Sequence, residues 1–157
     1  MKLPKINKNS GFVILFAVTV SAILLAIAIG VANVALKEIK FGTSAKDTNE
    51  AFFAADAGAE CALYNDKASV NLFVDPNSPV IICAGVRIGA NEDETNLWSF
   101  VIPGLGENNR GCAIVTVDKR SLVMPQTTII SKGYNVGDEN CASVDPNRVE
   151  RQIEVSY

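Results

Sequence analysis

Apolar and polar positions divide the chain into two textures. Phe12 to Leu36 is a run of twenty-five residues without a charge, and Thr19, Ser21 and Asn33 are its only clearly polar side chains. About 20 apolar residues suffice for a helix to cross a bilayer, so residues 12–36 are predicted as a transmembrane helix. Lys37-Glu38-Ile39-Lys40 then forms a charged step. Residues 45–66, AKDTNEAFFAADAGAECALYND, are good helix formers without proline, so an amphipathic continuation is predicted over 37–65. Gly42 and the Thr43-Ser44 pair are where that helix can soften or recap.

After Asp66 the period changes from helical to twofold. Asp75-Pro76-Asn77-Ser78-Pro79 is turn chemistry. Val80–Ala84 and Val86–Ile88 read as one strand broken at Gly85. Further strands are predicted at Leu97–Ile102, Cys112–Asp118, Thr127–Tyr134 and Val149–Tyr157. In the last, Val149, Ile153, Val155 and Tyr157 share one face while Glu150, Gln152, Glu154 and Ser156 share the other. That alternation marks an antiparallel sheet covered on one side. Arg151 interrupts the apolar face, as expected near an edge or a helix end. The dry face needs a cover, and the helix over 45–65 is the only one available, with Phe52, Phe53, Ala59 and Leu63 expected against the sheet. The fold class is therefore α+β, with an extracytoplasmic β-rich domain over 66–157.

Small residues add a second pattern. Ala22, Ala26 and Gly30 recur at intervals of four, and Ala51, Ala55, Gly58 and Ala62 at four, three and four. Each set shares one helical face. Such faces let backbones approach closely, which is how helices associate in lipid, so both are expected to pack against neighbouring helices.

Charge and composition narrow the function. Residues 1–11 carry Lys2, Lys5 and Lys8 and no acid, which places that end in the cytoplasm and the remainder outside. Without them the chain has eleven basic against seventeen acidic residues, a net of −6, and no basic stripe; nucleic acid is not expected as a ligand. A cleaved secretory signal fits less well, although Ala26-Ile27-Ala28 has the small-x-small form, because apolar sequence continues for eight residues beyond it. The absence of histidine removes the commonest general base and metal ligand, and no catalytic constellation is present; no enzyme activity, cofactor or metal is expected. Gly104-x-Gly106 with Gly111 has the wrong spacing for a dinucleotide loop and reads as a hairpin loop. Asn91-Glu92-Asp93-Glu94 and VGDENCASVDPN match no EF-hand and read as solvated turns.

Cys61, Cys83, Cys112 and Cys141 include no C-x-x-C pair, which argues against a zinc ribbon. An even count in an exported domain suggests two disulfides rather than four buried thiols. Three pairings are open. Cys61–Cys83 with Cys112–Cys141, in which each bond clips a loop, is preferred.

A basic leader ending in Gly11, a phenylalanine immediately after it, and an apolar helix running into an amphipathic one resemble the N-terminal signature of type IV pilins and type II secretion pseudopilins. AFFAADAGAECAL, Ala51 to Leu63, resembles the A-x-x-A-A-[DE]-A-G stretch of the minor-pilin group. The resemblance covers residues 8–65 and is only architectural over 66–157. It implies a pilin-like fold, cleavage between Gly11 and Phe12 by a prepilin peptidase, and N-methylation of Phe12. It also implies a subunit first anchored in the cytoplasmic membrane by a single pass, then built with other pilin-like subunits into a cell-surface filament. One departure bears on the role. Most such proteins carry a glutamate at the fifth mature position, where this chain has Phe16; that fits a minor or initiating subunit with no partner ahead of it, a position at which some relatives also lack it. The rival reading is a permanently anchored single-pass protein whose outer β domain binds a ligand or surface.

Overall fold

The structure, a computed structural model, describes residues 10–67, 73 and 80–157. Most of the basic leader and the turn at 75–79 lie outside the described residues. The chain divides into two compact units, one ending at Thr43 and the other spanning Ser44–Tyr157.

One helix, α1, runs Ser10–Lys67. It contains no proline, and it admits Gly30, Gly42 and Gly58, a cost of about 1 kcal/mol each relative to alanine. In the first unit its apolar side chains from Phe12 to Leu36 are all exposed. By length and composition α1 could cross a bilayer.

The second unit is a five-stranded antiparallel meander with the C-terminal part of α1 on one face. Two short strands come first, β1 (Val80–Cys83) and β2 (Val86–Gly89). The single interrupted strand expected there is instead a hairpin. Ala84 and Gly85 both take positive φ, 49° and 79°, and reverse the chain so that Cys83 faces Val86. The main sheet has β3 (Asn91–Glu94), β4 (Leu97–Leu105), β5 (Gly111–Asp118), β6 (Thr128–Tyr134) and β7 (Glu150–Ser156), in that spatial order. β3 replaces the expected solvated turn: its acidic residues form an exposed edge strand, bulged between Glu92 and Glu94. Charge on an edge is one way a sheet avoids pairing with other chains. Gly104, at positive φ, lies within β4 where the register with β5 shifts between Ile102 and Leu105, and Gly106, also at positive φ, lies in the connection to antiparallel β5.

The core explains these elements. Trp98, Phe100 and Ile102 alternate inward on β4, as the period predicts, and meet Val115 and Val117 of β5 and Ile129 of β6. Phe73 closes the cluster, with its ring centroid 6.1 Å from Phe100 and 6.2 Å from Trp98. Each such buried aromatic contributes about 2–3 kcal/mol.

The helix meets the sheet through small side chains. Ala51, Ala54, Ala55, Ala59 and Ala62 are buried. Facing them is Gly133 of β6, where a Cβ would collide with Ala51 O and Ala55 N and lie 2.8 Å from Ala54 C. Phe52 and Phe53, expected on the sheet, are 47% and 65% exposed. The reason is steric: backbones that approach this closely leave no room for a phenyl ring between them.

A polar lock ends the helix. Buried Asp66 pairs with the Lys119 ammonium and accepts a 2.5 Å hydrogen bond from the Tyr157 hydroxyl, while the Lys67 ammonium lies 3.8 Å from the Tyr157 ring centroid. Burial, and then Asp66, push the Tyr157 phenol above its ordinary range. Tyr134 behaves alike. Burial first, and its 2.7 Å bond to Glu150 second, push its pKa from 10.0 up to about 12. A phenol whose pKa rises on folding contributes stability that is complete below the unfolded value and is lost as pH climbs through the folded one. The outer unit is therefore expected to hold its stability to about pH 10 and lose part of it between 10 and about 12. Thermal unfolding across that range checks this: Tyr134→Phe should flatten the decline, and an unchanged slope would exclude Tyr134 as its source.

Candidate functional site

The candidate functional surface is the part of α1 that its own chain leaves uncovered. In the first unit, Ala22, Ala26 and Gly30 lie on the exposed helix, and a Cβ on Gly30 would meet nothing within 4 Å. That small stripe is open to an outside helix. The second small stripe is not. Ala51, Ala55 and Ala62 are buried against the chain's own sheet, and a Cβ on Gly58 would lie 2.8 Å from Val115 Cγ2. Its expected role as a face for neighbouring helices is thus corrected: the sheet occupies it. The two stripes look alike in sequence, and only the presence of β5 and β6 beneath one distinguishes them.

The outward side of the same helix segment carries larger groups. Phe52 and Phe53 contact edge to face, with ring centroids 6.0 Å apart, and Tyr64 is exposed three turns later. Lys46 bridges Glu107 at 2.5 Å and Glu50 at 3.6 Å. The Lys46 ammonium holds the Glu107 carboxyl below its ordinary range, and Glu107 raises Lys46 in return. A groove of about 320 Å³ runs between α1 and the β1–β2 hairpin, lined by Ala57, Glu60, Cys61, Tyr64, Ile82 and Ala84 among others.

The disulfides are Cys61–Cys83 and Cys112–Cys141, each with Cα atoms 5.6 Å apart. The first ties the hairpin to α1 and floors the groove. The second pins the segment between β6 and β7, where Asp138 Oδ1 accepts from the backbone N–H of Asn140 and Ala142 at 2.9 and 2.8 Å. Those two N–H groups hold the Asp138 carboxyl below its ordinary range.

Asp118 is held low by its bonds to Arg120, which also reaches Glu94 at 2.7 Å. A cleft of about 480 Å³ beside Asp66, Lys67, Lys119 and Tyr157 is walled by the polar lock. Among the described residues no three His, Cys, Asp or Glu side chains gather as a metal site. Gly11 and Phe12 both lie within α1 near its start, and Phe12 is exposed.

A long apolar N-terminal helix whose later part packs on an antiparallel sheet is a pilin-like architecture. No protein-family model, curated protein or solved structure matches the chain.

Proposed function

We propose that the chain is a structural subunit of a type IV pilus-like or pseudopilus filament, processed after Gly11 by a prepilin peptidase. The observation that carries this reading is the uncovered apolar surface of α1. Residues 12–36 bury nothing within the chain, so their burial must come from lipid or from other helices. Transfer from lipid to neighbouring helices changes apolar burial little. Close packing then decides the balance, and the open stripe of Ala22, Ala26 and Gly30 suits it.

In this reading the helix first anchors the subunit in the cytoplasmic membrane, with residues 1–11 on the cytoplasmic side and the outer unit beyond the membrane. Once the leader is removed, Phe12 is the mature, N-methylated end. Phe16 stands where a carboxylate would pair with a neighbour's new N-terminus, which favours a minor or initiating role.

The test is the intact mass and N-terminal sequence of the mature protein in cells that process it. A chain beginning at methylated Phe12 is expected. A chain still beginning at Met1 would overturn the assignment in favour of a permanent single-pass anchor.

A further inference from the structure

The outer unit carries two apolar features on different flanks of α1. At about 100° per residue, Thr48 and Phe52 fall on one flank and Ala57 and Cys61 on the other. The first flank adjoins β7, because Arg151 Nη2 donates to Thr48 Oγ1 at 3.3 Å. The second adjoins the β1–β2 hairpin through the Cys61–Cys83 bond. Phe52 projects from the first; the groove of about 320 Å³ opens on the second. An apolar cavity of about 150 Å³ holds a benzene ring, so the groove has room for one phenyl group and its approach.

Charge distinguishes the two flanks in a complementary way. Glu60 is exposed at the groove and has no cationic partner among the described residues. Arg151 donates to the Glu150 carbonyl and to Thr48, with no carboxylate partner among the described residues. A knob with a spare cation and a groove with a spare anion are carried by one chain, on sides that cannot meet each other. Resting on the filament reading, we infer that the groove receives Phe52 of a second copy of this chain, with that copy's Arg151 facing Glu60.

Phe52 and the groove lie on different flanks of α1, so one neighbour packed on a single flank cannot fill both. Knob into groove is then a head-to-tail contact between two copies. It also gives a subunit with Phe16 in place of a carboxylate another means of selecting its neighbour.

The test places the photo-reactive residue benzoylphenylalanine at position 52 of the full chain in membranes of cells that process it. Irradiation is expected to give a covalent dimer joined to the second copy's residues 57–64 or 80–88. The same probe at position 64 should mark residues 48–53. Glu60→Arg or Arg151→Glu alone should reduce the adduct about two- to five-fold, as for an exposed ion pair, and co-expressing the two variants should restore it. Adducts confined to another polypeptide, to lipid or to other parts of the chain would overturn the inference, as would no adduct or failure of the mixed variants to recover. The N-terminal mass of the same sample separates the two levels. A chain retaining residues 1–11 overturns both readings; a chain starting at Phe12 with misplaced adducts overturns this one alone.

Discussion

Replacing Gly133 by alanine is expected to destabilise the outer unit by about 3 kcal/mol, the upper end of the usual cost of overpacking. The added Cβ would collide with Ala51 O and Ala55 N and approach Ala54 C to 2.8 Å. All three are backbone atoms of α1, so no rotamer change relieves the contact. The helix must lift, and in lifting it loosens the fit of Ala51, Ala55 and Gly58 over β5 and β6. Gly89 is the control: a Cβ there meets nothing within 4 Å, and its alanine variant should stay within about 0.5 kcal/mol. Urea unfolding of the full chain in detergent, followed through Trp98, the only tryptophan, measures both. A lowered midpoint at unchanged slope is the expected signature. Equal midpoints for the two variants would show that the close approach does not limit stability.

The same contact explains what sequence pattern could and could not reveal. Alternation exposed the inward residues of β4 and the wet and dry faces of β7, because a one-sided sheet leaves a period of two. Arg151 read as a residue near an edge or a helix end, and β7 is an edge strand. The covering helix was also legible, but its orientation was not. Hydrophobicity assigns phenylalanine to the interior, whereas Phe52 and Phe53 point outward because Gly133 and Ser131 bring the sheet too close for them. No one-dimensional pattern carries that information; it arises from pairing a small stripe on α1 with small residues on β6, over seventy positions later. The hairpin turn was hidden for a local reason, since Ala84 rather than Asn or Gly occupies its first positive-φ position. Edge strand β3 was hidden because its residues have low strand propensity and pair only with β4. The Asp66–Lys119–Tyr157 lock joins three distant segments and has no sequence signature.

Removing the two disulfides is expected to have unequal consequences, although chain entropy treats them alike. Loops of 22 and 29 residues give about 3–4 kcal/mol each. After Cys112→Ser with Cys141→Ser, much still holds the segment between β6 and β7. The Arg148 guanidinium lies 3.8 Å from the Tyr134 ring centroid and donates to the residue 141 carbonyl at 2.6 Å. Asn135 accepts from the Val149 N–H at 2.7 Å and donates to the Asn147 carbonyl at 3.1 Å. Among the described residues the β1–β2 hairpin shows no comparable side-chain hydrogen bonds to the rest of the unit. It forms a separate two-stranded sheet, which is marginal by itself, and Cys61–Cys83 is its covalent link to α1. Cys61→Ser with Cys83→Ser should therefore release the hairpin, uncover Ile81 and Ile88, and erase the groove wall that Ile82 and Ala84 supply. Limited proteolysis of the oxidised full chain, with the sites mapped by mass, distinguishes the pairs. Early cleavage within residues 80–89 is expected only in the Cys61/Cys83 variant, together with loss of the position-52 adduct. Equal protection of that hairpin in both variants would mean that packing on β4, and not the disulfide, holds it in place.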